Sequence, residues 1–187
     1  DLHWIRFLEA RNPSVPSIAS KAGPPARRTP LTSQTNFWRS ILSSLGDEAR
    51  CIYSGELLTP TDVHLDHVLP WTFVCHDSLW NLVPVTPQAN LSKSDRLPDP
   101  AYLSKVSDLH FRALSHARES MLPERWKKIA ASYVGDLRIP EEDLSDKQKF
   151  KTAYARAVRP QMDLAQSIGF SGGWLWRDDA PAVLTAP

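Results

Sequence analysis

Cysteine is almost missing: Cys51 and Cys75 are the only two in 187 residues, and no CxxC pair occurs. A disulfide-stapled scaffold is thereby excluded, and a reducing, cytoplasmic setting fits best. No apolar run approaches the ~18 residues of a membrane span, and no secretory leader opens the chain. Charge of one sign is missing too. The 22 Lys and Arg face 21 Asp and Glu for a formal net charge of +1, so no global field points to nucleic acid or membrane. No segment repeats. What remains is a chain of 42% hydrophobic and 23% charged residues, enough for a buried core and against wholesale disorder. Its length suits one domain, or a small domain with attachments. The first residue, Asp1 rather than Met, fits a module of a longer protein.

Periodicity then places the elements. Residues 2–10 space Leu2, Ile5 and Leu8 for a helix, widened by Trp4 and Phe7, and Asn12-Pro13 stops it. Pro13, Pro16, Pro24, Pro25 and Pro30 predict an extended, proline-stiffened connector. Residues 33–46 read as a helix capped by Thr32 or Ser33 and stopped by Gly46, with Phe37, Trp38, Ile41, Leu42 and Leu45 on its apolar face. CIYSGELL (51–58) reads as a hairpin turning at Ser54-Gly55. HLDHVL (64–69) and WNLVPV (80–85) read as strands joined by a loop from Pro70, and a helix runs from Pro87 through Lys93. Further helices are expected over about 100–120, 123–134 with Pro123 in first position, and 144–158, then a short one between Pro160 and Gly169. Trp174 and Trp176 read as a C-terminal plug. The class is α+β: a small ββα unit with helices before and after it.

The stretch HLDHVLPWTFVCHDSLWNLVPVTPQANLSK (64–93) concentrates chemistry. Hydrolysis of a phosphodiester needs a base for water, a cation to offset phosphate charge, and donors that hold the geometry. His67 is the candidate base, titrating near neutrality. Asp66 and Asn90 offer hard oxygens, which suit Mg²⁺ or Mn²⁺ better than zinc. Lys93, one helical turn past Asn90, is expected to reach a phosphate oxygen. Asn81 is expected either to fix the His67 ring or to tie down the loop behind it. His64, two before Asp66, is a further metal-ligand candidate or a plain surface residue. Singly, each has an ordinary reading: His67 as a strand histidine, Asp66 as a turn acid, Asn81 as a loop cap, Asn90 and Lys93 as exposed polar groups. His76, His110 and His116 have no partner pattern and read as structural. Two local basic clusters, Lys21 with Arg27 and Arg28 and Arg125 with Lys127 and Lys128, are either phosphate contacts or solvated surface.

Taken together, these residues resemble the HNH, or ββα-metal, endonucleases, and most of all the HNH domain of RNA-guided CRISPR nucleases. The shared order is Asp66-His67, Pro70, Phe73, Asp77-Ser78, Asn81, Asn90, Lys93 and Ser94-Asp95. The resemblance implies a nuclease core at 49–98, between an N-terminal helical, proline-rich segment (1–48) and a C-terminal helical segment (99–187). It implies His67 as general base, Asp66 and Asn90 as ligands of Mg²⁺ or Mn²⁺, and Asn81 as the orienting residue. DNA is the implied substrate, cut one strand per site, within a CRISPR or other antiviral defence setting that includes a larger protein or a guide RNA. Asn90 stands where other HNH proteins carry His. Where many carry a CxxC zinc site, this chain has Cys51-Ile-Tyr-Ser54, Thr86 and Ala89, so no structural zinc is expected. The surrounding helices and the aromatics Trp71, Phe73 and Trp80 must hold the motif instead. The rival reading is a nucleic-acid-binding or assembly module of a larger defence complex, silent until a partner docks. One tension stands: on a regular strand Asp66 and His67 point to opposite faces.

Overall fold

The computed structural model describes residues 2–12, 15, 16, 18–22 and 30–177 of the chain. Among them the sheet is one antiparallel pair: β1 (His64–His67) and β2 (Leu82–Val85), in a register that sets His64 opposite Val85 and His67 opposite Leu82. β2 is buried along its length, as a run of apolar residues without alternation predicts. Its Pro84 is tolerated because both strands of a two-stranded ribbon are edges.

The loop between the strands holds the single-turn helix α4 (Trp71–Val74) and a 3-10 turn at Leu79–Asn81. The helix that completes the ββα unit, called α5 below (Pro87–Lys93), starts directly after β2 and packs against β1. The Thr86 hydroxyl caps it by accepting from the Ala89 N–H at 3.3 Å, and Pro87 brings the φ that a first turn needs.

So small a unit is marginal by itself; the flanking elements bury it. The 51–58 hairpin closes as expected, with the Cys51 N–H on the Glu56 carbonyl at 2.8 Å and Gly55 at φ 78. Its Tyr53 ring stands edge-on to Tyr102 and Trp174, each 5.0 Å away between centroids. This aromatic trio, together with buried Phe73 and Trp80, holds the motif; Trp71 is only partly buried. Trp174 is the plug the sequence suggested, and its backbone bridges Pro98 in parallel.

At the N-terminus α1 (Leu2–Arg11) forms and buries none of its residues. The connector departs from expectation. Residues 18–22 carry no proline, and α2 (Ile18–Ala22) forms there with Ile18 buried; Pro13, Pro24 and Pro25 lie outside the described residues. α3 (Thr32–Leu45) ends at Gly46, φ 52, as expected, but its N-cap is Leu31 with no side-chain cap bond. Thr32 and Ser33 are already inside the helix, because the Leu31 carbonyl takes the Thr35 N–H at 2.8 Å.

α6 (Tyr102–Ser120) and α7 (Pro123–Leu137) follow their predicted spans, α7 closing at left-handed Arg138. The expected break at Pro160 does not occur. α8 (Lys147–Ser167) runs through it. Proline in a helix interior costs about 3 kcal/mol, but Tyr154, Val158, Met162 and Ala165 continue one buried stripe on both sides of it, and that packing outweighs the lost bond. One hydrophobic cluster runs from Phe37 of α3 to Trp174, with Trp38, Tyr133 and Tyr154 fully buried in it. No helix of the described residues is long and apolar enough to cross a membrane.

Candidate active site

The two adjacent side chains that end β1 meet opposite surroundings. Asp66 is 3% exposed. Its Oδ2 accepts from the Tyr53 hydroxyl at 2.7 Å and its Oδ1 from the Lys93 ammonium at 3.0 Å. Burial raises the Asp66 pKa above the ordinary carboxylate value, against the opposing pull of the Lys93 charge and the Tyr53 hydrogen bond. Tyr53 is pushed well up in turn, by its burial first and by Asp66 second.

His67 is partly exposed, and its Nε2 lies 2.8 Å from Asp77 Oδ1. A carboxylate only accepts, so Nε2 carries the hydrogen and the neutral ring has its lone pair on Nδ1. Asp77 is itself held: its backbone carbonyl accepts from Gln34 Nε2 of α3 at 3.0 Å. The strand's alternation therefore survives, with Asp66 turned to the hairpin and α5 and His67 to the loop. The two still meet one space, because the chain bends immediately after His67. A cleft of about 370 Å³ is lined by Asp66, His67, Pro70, Trp71, Asn90 and Asp95, among others.

The remaining candidates sort plainly. Asn90 borders the cleft. His64 is exposed at the start of β1, does not line the cleft, and accepts at Nδ1 from Asn90 Nδ2 at 3.4 Å. Of the two roles left open for Asn81, the structure shows the second: its Oδ1 accepts from the Leu69 N–H at 2.8 Å and its Nδ2 donates to the Leu69 carbonyl at 2.9 Å. Fully buried, it pins the turn that follows β1. Lys93 does not face substrate, contrary to expectation. It has no exposed surface, and its ammonium is held by Asp66 and by the His67 carbonyl at 2.7 Å. An ammonium locked behind the strand cannot reach a phosphate. Sequence reasoning missed the work of Asp77 and Tyr53. Asp77 stood in the motif without a role, and only the fold brings Tyr53 to Asp66. Of the basic clusters, Lys21 lies over the Phe73 ring, Lys127 pairs with Glu124, and Arg27 and Arg28 lie outside the described residues.

Residues 51–99, about a quarter of the chain, match the family model described as HNH endonuclease. This stretch is an HNH endonuclease domain. No curated protein and no solved structure matches the chain. Such domains are nucleases that depend on a divalent metal. The donor set of this HNH domain fits a hard dication. No group of three His, Cys, Asp or Glu converges among the described residues, but the buried Asp66 carboxylate and the Asn90 amide, which line the same cleft, suit an ion that keeps several waters and takes phosphate oxygens. Each Asp66 oxygen has a second lone pair beyond the bond it already accepts.

Proposed function

We propose that the chain hydrolyses DNA phosphodiester bonds at this cleft, one strand per site, with His67 as general base and Asp66 and Asn90 holding Mg²⁺ or Mn²⁺. The observation that carries the reading is the His67–Asp77 pair opening on the cleft that Asp66 and Asn90 also line. Asp77 fixes the ring through Nε2–H, and Nδ1 takes the proton of the attacking water. The carboxylate then stabilises the imidazolium that forms. When bound, the dication offsets charge on the scissile phosphate and the leaving 3′ oxygen. In-line displacement gives a 5′-phosphate and a 3′-hydroxyl. Lys93, Tyr53 and Asn81 act as positioning residues: the first two keep Asp66 in place, and Asn81 holds the turn after β1.

The order and spacing from Asp66 to Lys93 support work inside a guide-RNA or other defence complex. A second reading, an assembly module silent until a partner docks, draws on α1, whose Leu2, Trp4 and Phe7 are 66%, 57% and 41% exposed. Supercoiled plasmid separates the two. The enzyme nicks it with Mg²⁺ or Mn²⁺, stops in EDTA and stops in His67→Ala; DNA binding with no cleavage under either ion supports the silent module instead.

A further inference from the structure

The cleft does not end at Asp95. That residue also walls a hollow of about 250 Å³ formed with Ile168, Gly169, Phe170 and Ser171. Further residues of the same segment, Gly172, Gly173, Trp174, Leu175 and Arg177, line a groove of about 540 Å³ against Ser92 and Arg96. The cleft, the hollow and the groove thus follow one another along the 168–177 segment around the C-terminal end of α5.

The outer wall of the groove is fixed in place. Ser171 accepts from the Leu97 N–H at 2.8 Å, the Trp174 N–H donates to Leu97 at 3.0 Å, and the Asp99 N–H donates to Trp174 at 2.8 Å. Gly172 packs against the Gln166 side chain, which a Cβ there would meet at 3.0 Å, whereas Gly173, at φ +73, has open space where a Cβ would stand, so a ligand can approach the backbone closely at that residue. Among the described residues, Arg96 and Arg177 are the ionisable groups that line this groove, and both are exposed. Arg96 is aimed by its contacts, with its guanidinium 5.9 Å over the Trp174 ring and bonds from Nε to the Lys93 carbonyl at 3.3 Å and from Nη2 to the Ser92 carbonyl. Nη1 takes no part in them. Arg177 makes no ion pair or hydrogen bond with any described residue. The acid among the described lining residues is Asp95, where the hollow meets the cleft.

We propose that this groove holds the phosphodiester backbone of the nucleic-acid strand as it leaves the cleft, with Arg96 and Arg177 on its phosphates. Guanidinium groups suit phosphate oxygens through paired N–H donors, and two exposed arginines in a groove that follows on from the cleft suit successive phosphates of a strand better than a lone anion. The strand's direction rests on the nuclease reading above; the groove's affinity for phosphodiesters does not.

The test is fluorescence anisotropy in EDTA, where nothing is cut, with a short labelled single-stranded DNA and the RNA of the same sequence. Arg177→Gln weakens binding by roughly 3- to 10-fold, and Arg177→Gln combined with Arg96→Gln by roughly 10- to 100-fold. Each lost contact lowers the slope of log affinity against log salt by about 0.7. Arg96→Lys, which keeps the charge, retains most of the affinity, and the remote pair Lys147→Gln, Lys149→Gln, at the far end of α8, leaves it nearly unchanged. A loss with DNA, with RNA or with both supports the groove and names its strand. Unchanged affinity and slope in the folded double variant overturn it, as does an equal loss from the remote pair. A wild-type chain that binds through these arginines but never cuts sinks the nuclease reading and leaves the groove standing. A chain that cuts while both arginines are dispensable for binding does the reverse.

Discussion

Two histidines of this chain occupy opposite environments. His67 is partly exposed at the end of β1, with Asp77 on Nε2 and a water-accessible cleft beside it. His110 has no exposed surface. Trp38, Tyr133 and Tyr154 surround its ring, Nδ1 lies 2.9 Å from the Tyr133 hydroxyl, and Nε2 has no hydrogen-bond partner among the described residues. Burial lowers the His110 pKa to about 3, so it stays neutral and serves as a packing piece. A carboxylate partner and access to water suit the His67 imidazole to the base role proposed for it, whereas an aromatic core keeps the His110 ring neutral and packed.

The largest expected effect would break that comparison if it failed. His67→Ala lowers the cleavage rate by roughly 10²- to 10⁴-fold with little change in thermal unfolding, while His110→Phe leaves the rate per folded molecule near wild type. Equal losses from both, in a plasmid-nicking assay, would erase the distinction. Next comes Lys93→Met, which leaves Asp66 buried without its cation and costs about 3–5 kcal/mol of stability, read by urea unfolding. A stable Lys93→Met chain would mean that Asp66 is held some other way.

Asp77→Asn sharpens the contrast from the other side. Replacing the carboxylate beside Nε2 with a neutral amide removes the charge that would stabilise the imidazolium and lowers kcat by roughly 10- to 100-fold without unfolding the chain, as circular dichroism should show. A smaller effect belongs to His110. Its native ring is neutral while the unfolded ring takes up a proton below the ordinary 6.5. The unfolded state therefore binds more protons between about 3 and 6.5, and stability is complete above that window and lost as pH falls through it. At ~1.4 kcal/mol per pH unit, the loss from pH 6.5 to 5 is about 2 kcal/mol. Urea unfolding of wild type and His110→Phe at both pH values checks it, since only the variant should be spared that share.

The contrast also marks where the sequence could be read. The ββα unit was legible from residues 64–93, because a buried strand, a Thr-Pro helix start and the Asp-His and Asn spacings are all local signals. His110 was legible only as a histidine without a partner pattern. Lys93 was misjudged because helical spacing relates it to Asn90 but does not say which face of α5 turns inward. Tyr53 escaped notice because thirteen residues of chain separate it from Asp66 and only the hairpin's folding joins them. The continuity of α8 through Pro160 was equally invisible, since a local penalty yields there to a stripe of tertiary packing.

The account stands or falls on one cleft serving His67, Asp66 and Asn90 together. Anomalous diffraction from a crystal of the chain soaked in Mn²⁺ tests this most directly. The expected peak lies at coordination distance from Asp66 and Asn90, beside the His67 ring. A Mn²⁺ peak elsewhere, with that cleft empty at saturating ion, would contradict it.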